Sequence, residues 1–555
     1  MSRFGEALVA SARDNSTGGR GLTTGEPDEP RRWTWGEVHE RALRIAGALR
    51  SEVRPGDAVA VLAGDPGAVA PAVQAVWLLG GSVTMLQQPT PRTDLARWSG
   101  ETLRALGVVE ARLVLLGSPF EDAAEVLSDD RFPCRSLSEL AERSGTASEP
   151  LAEPIDRPAD GSALLQLTSG ATAEPKAVRI TDANLHANIR AMLSAVAADL
   201  DRDVLVAWLP LFHDMGMVGC LVLPMLSGME AVLTTPADFL ARPLLWPELI
   251  SRHRGTVTVA PNFGYALLAR RMSRAGDGAF DLSSLRIALN GAEPIDPAAV
   301  RSFTEAGAAF GLRADCVVCA FGMAESTLAV SLAPLERGLE VDVVDGAALE
   351  GRGAAVPVSD EQRGREFARL GRPVEGIEVA VVDDAGRERG EREVGQLRIR
   401  GESVTGDYLT ADGPVAARDE LGWLSTGDDG YLVDGQVVIC GRRKDVIILG
   451  GRNIYPTDVE YAACEVDGVR AGNAAAVRWE AGARRERFAV VVESRQAGAD
   501  DAQVRKQVAA RVFEAVGFRP SAVVVLEPGS LPKTPSGKLK RAEAAQLVPD
   551  PESSP

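Results

Sequence analysis

The chain has 555 residues, 45% of them hydrophobic and 25% charged, and carries a formal net charge of -18. That length exceeds the ~250 to 300 residues at which one core stops growing, so an ordinary globular chain of two to four domains is expected. The acidic balance argues against general nucleic-acid binding or adhesion to anionic lipid, so a nucleotide site has to be a local cluster.

The start, Met1-Ser2-Arg3-Phe4-Gly5-Glu6, lacks the basic region and apolar run of a signal peptide. No apolar stretch nears the ~20 residues of a membrane span, and a cytoplasmic protein is expected. Up to about residue 150, helical patterns such as Trp35 to Leu49 alternate with strand-like runs such as Ala58 to Leu62 and Leu113 to Leu116, the signature of an α/β layered parallel sheet. A Pro, Glu and Ser-rich linker follows from Thr146 to Asp160, and then a strand from Ala163 to Leu167. A second α/β region, about 160–335, has strands near Val204 to Trp208, Ala231 to Thr234, Thr256 to Ala260 and Arg286 to Asn290. The stretch from Leu335 to Leu370 is weak in periodicity and reads as an insertion or long ordered loop. Alternation at Glu378 to Asp383 and Gln396 to Arg400 predicts a small β-rich subdomain, about 370–441. From Arg442 a compact α/β tail runs to about Gln546, leaving 547–555 as a short extension.

Cysteine and histidine offer little chemistry. Cys316-Val317-Val318-Cys319 matches a CxxC pattern, but it lies in an apolar run leading to Phe321-Gly322 and reads as core strand. The four histidines, His39, His186, His213 and His253, show no spacing typical of zinc.

Lysine is more telling, because only six of the 60 basic residues are lysine. Where any cation would serve, this chain uses arginine, so a retained lysine marks a position that needs a compact point charge on a flexible stem. Lys506 is isolated. Lys176 ends Leu167-Thr168-Ser169-Gly170-Ala171-Thr172-Ala173-Glu174-Pro175-Lys176, Lys444 sits in Gly441-Arg442-Arg443-Lys444-Asp445, and Lys533, Lys538 and Lys540 lie in Leu531 to Lys540. In the first of these, a strand feeds hydroxyls and backbone N–H groups from Thr168, Ser169, Gly170 and Thr172 into a loop able to wrap polyphosphate, with Lys176 adding charge. It is not the GxxxxGK[ST] loop of the P-loop proteins.

Further motifs follow in order: Trp208 to Gly216 with His213-Asp214, Asn290-Gly291-Ala292-Glu293-Pro294, Phe321-Gly322-Met323-Ala324-Glu325, Ser425-Thr426-Gly427-Asp428, Gly441 to Pro456, and the Lys538 loop. This series resembles the adenylate-forming (ANL) superfamily of acyl-CoA synthetases, peptide-synthetase adenylation domains and luciferases, from Trp33-Thr34-Trp35 to Arg541. His213 to Gly216, Asn290 to Pro294, Gly451 to Pro456 and the long 335–370 segment look most like fatty acyl-AMP ligases.

The resemblance implies a large N-terminal AMP-binding domain, 1–441, and a small mobile α+β C-terminal domain, 442–546. It implies ATP, Mg²⁺ and a phosphopantetheine thiol as cosubstrates, the thiol borne by CoA or by an acyl carrier protein. Glu325 is then the magnesium carboxylate. Phe321, Gly322, Asn290, Gly291, Ala292 and Glu293 line the adenine pocket, and Asp428 holds the ribose with Arg442 close by. His213 lies between acyl pocket and phosphate. Lys538 stabilises the charge that gathers as carboxylate attacks the α-phosphate. Lys444 is the hinge about which the small domain turns, and Gly450-Gly451 resembles the glycine pair that lets pantetheine pass in CoA ligases, which favours CoA as acceptor.

The chain departs from the family pattern at Ala171, Ala173 and Ala177 in the phosphate segment, at Ala324 before the glutamate, and at Asp182 where His is common. Those alanines motivate a rival in which only the thioester half survives, from preformed acyl-adenylate. A catalytically inactive binding or scaffold relative is a second rival.

Overall fold

The computed structural model describes residues 3–15, 19–90, 93–127, 131–143, 149–158, 160–168, 175–358, 364–479, 487–498, 501–533 and 539–549. The chain divides into two compact units. The first takes Met1–Leu339, Leu370–Glu378 and Ile399–Leu424, and the second takes Glu340–Arg369, Val379–Arg398 and Ser425–Pro555.

Two sheets build the first unit. One has eight strands in the order Gly413–Ala416, Asp407–Thr410, Lys176–Ile180, Leu164–Thr168, Ser82–Met85, Ala58–Leu62, Ala111–Leu116 and Cys134–Ser136. From Leu164–Thr168 to Cys134–Ser136 it is parallel. The strands Lys176–Ile180, Asp407–Thr410 and Gly413–Ala416 add on antiparallel. The nine-stranded sheet has Val317–Gly322, Ile287–Gly291, Val257–Pro261, Val204–Ala207 and Glu230–Leu233 as its parallel centre. Strands buried on both faces read as continuous apolar runs, which is why Ala58–Leu62 is apolar throughout and wholly buried.

Local chemistry sets the helices. Trp35–Leu49 opens with a capping box: the Glu37 N–H donates to Thr34 Oγ1 at 3.1 Å and the Thr34 N–H donates to Glu37 Oε2 at 2.7 Å. Its buried face, Val38, Ala42, Ile45, Ala46 and Leu49, recurs at helical spacing, and the Trp35 indole N–H reaches Met229 O at 2.9 Å. The linker is not free chain. Leu151 N–H bonds Leu43 O at 3.0 Å and Ile155 N–H bonds Leu78 O at 2.8 Å, which ties residues 149–158 across two helices.

In the second unit the structure adds detail to the 335–370 stretch. Residues 340–358 and 364–369, expected as an insertion or long ordered loop, hold a strand pair, Val341–Val344 with Arg365–Ala368, and the helix Gly346–Arg352. Val344, Leu349 and Phe367 from this segment share a core with Tyr431, Val438, Cys440 and Tyr455. Four-residue strands are too short for a period to stand out in sequence, so the pairing is invisible without its partners. A three-stranded sheet, Val469–Trp479, Arg487–Ser494 and Ala522–Leu526, packs with helices Pro456–Cys464 and Asp501–Val516. Among the described residues, no helix is long and apolar enough to cross a membrane.

Cys316 and Cys319 are buried free thiols whose burial pushes each up to about 12, in keeping with a core strand. No group of His, Cys, Asp and Glu able to hold a metal by itself is found among the described residues.

Candidate active site

Thr168 and Lys176 face each other as the last rung of an antiparallel pair, so the intervening loop has both stems fixed. Ser169, Gly170 and Thr172 lie outside the described residues, as do Ala171 and Ala173. The Thr168 Oγ1 atom is buried at the mouth of the loop with no hydrogen-bond partner among the described residues. A buried hydroxyl with nothing to bond is costly, and a ligand oxygen would satisfy it. Ala177 is an ordinary strand residue, fully buried opposite Leu167, so glycine-like freedom is not needed there. Asp182 has a structural partner. It opens the helix Asp182–Ala195 and pairs with the buried Arg157, whose Nη2 also donates to Gly81 O at 2.8 Å.

Glu325 projects from the short turn Ala324–Ser326, which is held by the Ser326 hydroxyl donating to Met323 O and Leu328 O. Thr327 takes a left-handed φ of 73° and donates its hydroxyl to Ser403 O at 2.8 Å, while Thr405 N–H donates to Glu325 O at 2.7 Å. The side chain is largely buried and meets two partners. Tyr408 OH donates to Glu325 Oε1 at 3.1 Å, and Lys176 Nζ stands 3.9 Å from the same oxygen. Lys176 Nζ also sits 3.8 Å from the centre of the Tyr408 ring. Burial, with the Glu325 charge beside it, holds the Tyr408 hydroxyl well above its ordinary value, so it stays a donor.

The predicted base-pocket residues lie at the ends of two parallel strands, Ile287–Gly291 and Val317–Gly322, where open sheets bind ligands. Asn290 is fully buried. Its Nδ2 donates to Asn262 Oδ1 at 3.2 Å, and its Oδ1 has no partner among the described residues. Ala292 adopts a φ of 68°, a turn conformation uncommon for alanine. Glu293 accepts the Phe263 N–H on Oε1 at 2.6 Å and so caps the helix Asn262–Met272. Phe321 is buried on its strand, and a Cβ on Gly322 would fall 2.3 Å from Leu328 O, so only glycine fits. His213 precedes a π-helical segment, Met215–Val222, and its ring lies 4.8 Å from that of Phe212. Gln166 on the phosphate-loop strand donates to Phe212 O at 2.9 Å, which links this segment to the loop stem.

In the second unit, Asp428 and Arg442 are cross-strand partners with Arg442 Nε 3.0 Å from Asp428 Oδ1. Arg442 Nη1 also donates to Thr426 O at 3.1 Å. Lys444 is exposed in the turn Arg443–Asp445, between Arg443, paired with Asp429, and Asp445, paired with Arg541. Gly450 and Gly451 have φ of 58° and 79° and connect the hairpin strands Ile447–Leu449 and Arg452–Ile454. A two-residue hairpin with both φ positive demands glycine or asparagine, so the turn itself accounts for the pair. Lys538 lies outside the described residues.

The AMP-binding enzyme family model matches residues 12–409. The chain belongs to the AMP-binding enzyme family. A putative ligase of Mycobacterium tuberculosis is 51% identical over 554 residues, covering 99% of this chain and 100% of the relative. A putative acyl-CoA synthetase of Caulobacter vibrioides is 37% identical over 74% of this chain and 71% of its own. Among solved structures, a fatty acyl-adenylate ligase from a study of the Escherichia coli and Legionella pneumophila enzymes superposes with a TM-score of 0.88 at 30% identity, over 98% of this chain and 97% of the other. This AMP-binding protein is thus an enzyme of the ANL superfamily, an acyl-adenylate-forming ligase with the α/β architecture the motifs imply.

The donor set fits the cation that such enzymes bring with ATP. Glu325 supplies a hard oxygen, and its Oε2 accepts no hydrogen bond from a described residue. Magnesium is commonly held by one or two carboxylates together with substrate phosphates, so a lone carboxylate beside a phosphate loop suits it.

Sequence reasoning missed Tyr408, Gln166 and Asn262. Tyrosine is rare here, five in the chain, and Tyr408 precedes the turn-forming Asp412-Gly413, a hairpin signal that gives no hint of its partner strand.

Proposed function

We propose that the enzyme joins a carboxylic acid to ATP as acyl-adenylate and passes the acyl group to a phosphopantetheine thiol carried on an acyl carrier protein. The approach of Lys176 Nζ to 3.9 Å from Glu325 Oε1, beside a Thr168 hydroxyl that has no partner among the described residues, carries the first half of this reading. A cation for phosphate and a carboxylate for magnesium meet there. Asn290 to Glu293 and Phe321 receive the base, Asp428 and Arg442 the ribose, and His213 borders the acyl group. Lys538 meets the charge on the α-phosphate, and a magnesium ion held by Glu325 would supply further neutralisation of the phosphates.

The acceptor is argued from the second unit. Arg365 Nη2 stands 2.7 Å from Asp458 Oδ1, and Arg452 pairs with Glu350. Segment 340–369 is thereby tied to residues beyond Lys444. If turning about Lys444 separates them, these pairs have to break, and docking of a carrier protein brings more binding energy to offset that than free CoA does. The relative named as an acyl-CoA synthetase favours a second reading, with CoA itself as acceptor.

Acid-dependent exchange of pyrophosphate into ATP tests the first half across a panel of acids. Thioester formation with a phosphopantetheinylated carrier, set beside CoA, tests the second. Faster transfer to CoA would overturn the carrier assignment. Failure of exchange with every acid, with acyl-adenylate still consumed, would leave only the thioester half.

A further inference from the structure

Tyr408 belongs to none of the motifs, yet both of its ends are engaged. We propose that Tyr408 is a positioning residue with two functions: its hydroxyl fixes the Glu325 carboxylate for a divalent cation, and its ring face parks the Lys176 ammonium until nucleotide phosphate draws it away. This rests on the assignments of Glu325 to metal and Lys176 to phosphate made above.

The register places it. Tyr408 is opposite Val178, and Lys176, two residues before Val178, points to the same face of the sheet. The strand bearing Tyr408 is held from several sides. Thr405 donates its N–H to Glu325 O and its hydroxyl to Arg179 O at 2.6 Å, Arg179 Nη1 donates to Asp407 Oδ2 at 3.1 Å, and Arg418 Nε donates to Thr405 O at 2.7 Å. The backbone that carries the phenol therefore cannot drift from Glu325 without loss of these contacts.

The geometry separates the two functions. A hydrogen bond at 3.1 Å holds Oε1 and leaves Oε2 without a donor among the described residues, so one oxygen is oriented and the other is presented. Lys176 Nζ, at 3.9 Å from Oε1, is beyond hydrogen-bond reach, and its nearer support is the ring face at 3.8 Å. An ammonium kept on an aromatic face is held loosely enough for phosphate oxygens to take it. Without the ring, Lys176 closes on Glu325 as a direct ion pair and competes with the metal.

Two variants divide the functions. Tyr408→Phe keeps the ring and removes the donor. With α,β-methylene-ATP present, its Mn²⁺ dissociation constant, read from the Mn²⁺ paramagnetic resonance signal, should rise about tenfold. Metal-free affinity for AMP should not change. Tyr408→Leu should add a loss of about threefold in metal-free affinity for inorganic pyrophosphate, because Lys176 is no longer held apart from Glu325. Unchanged Mn²⁺ affinity in Tyr408→Phe, against a wild type that binds the ion, would overturn the hydroxyl's function and leave the site assignments standing. A parallel fall in AMP affinity would also overturn it, as general damage to the site. Equal pyrophosphate affinity in the two variants would overturn the ring's function. A wild type that binds no Mn²⁺ with the analogue would instead overturn the metal assignment of Glu325.

Discussion

Asp428 and Arg442 stand opposite each other on adjacent antiparallel strands, with the guanidinium Nε 3.0 Å from Oδ1 of a carboxylate that is almost fully buried. The arginine is half exposed, so it orients the carboxylate and leaves room for a sugar. Asp428→Ala should weaken binding of ATP and of acyl-adenylate alike. Two charge-assisted hydrogen bonds to ribose, ~1.5 to 3 kcal/mol each, correspond to a loss of about a hundredfold or more in affinity. Calorimetric AMP binding checks this, and an unchanged constant would remove Asp428 from the site.

Lys538 is expected to act only while carboxylate and α-phosphate are being joined. Lys538→Ala should abolish pyrophosphate exchange, a loss of ~3 to 4 kcal/mol if it matches a missing oxyanion donor. Thioester formation from supplied acyl-adenylate should stay near wild type. Equal loss in both assays would contradict the division of labour.

The glycine pair gives a test that separates turn from passage. Gly451 has open space around the position of a Cβ, so Gly451→Ala meets only the backbone penalty of its φ, ~1 kcal/mol. Gly451→Asn should recover most of that stability, since asparagine tolerates the left-handed region. If the asparagine variant melts like wild type but forms thioester more slowly, the glycine serves the thiol as well as the turn.

Burial pushes the Asp458 carboxyl up to about 6, against the pull of Arg365 and with Glu350 and Glu460 adding to the rise. The sign follows from proton binding: the folded state holds the proton more tightly than the unfolded state, with its ordinary value of 3.8. The stabilising contribution is fully present below pH 3.8 and is lost as pH rises through about 6. Asp458→Asn should flatten the part of the stability profile between pH 3.8 and about 6 that belongs to this group, measured by denaturant titration at each pH. A profile identical to wild type would show that Asp458 ionises in the fold as it does in water.

Arg157 is the buried half of its pair with Asp182, and its Nε has no partner among the described residues. Arg157→Ala leaves the carboxylate uncompensated and should cost ~3 kcal/mol, while Arg157→Ala with Asp182→Asn should recover part of it. Chemical denaturation of the single and double variants reads the coupling.

Much of the fold could be read from sequence because its strands are buried on both sides and announce themselves as apolar runs. Ala58–Leu62 and the helix Trp35–Leu49 came out at the expected bounds, and strands such as Ile287–Gly291 within a residue. The strands of the 340–369 segment did not, since their partners are either distant or too short to repeat. At the site, motif residues such as Asp428 and Arg442 do meet, whereas Tyr408 depends on strand pairing across a long interval of sequence. Arg157 shows the same limit: a lone arginine in a proline-rich linker gives no sign that it will be buried against Asp182.

The outer neighbour of Lys176–Ile180 is the strand Asp407–Thr410, delivered by a distant part of the chain. During synthesis the strand Lys176–Ile180 therefore emerges with one row of N–H and C=O groups unmet, and it remains so until the hairpin at 407–416 leaves the ribosome. A nascent chain halted before that point exposes an open sheet edge beside the loop. Ribosome-bound intermediates in that interval are consequently the ones open to pairing of this edge with another chain.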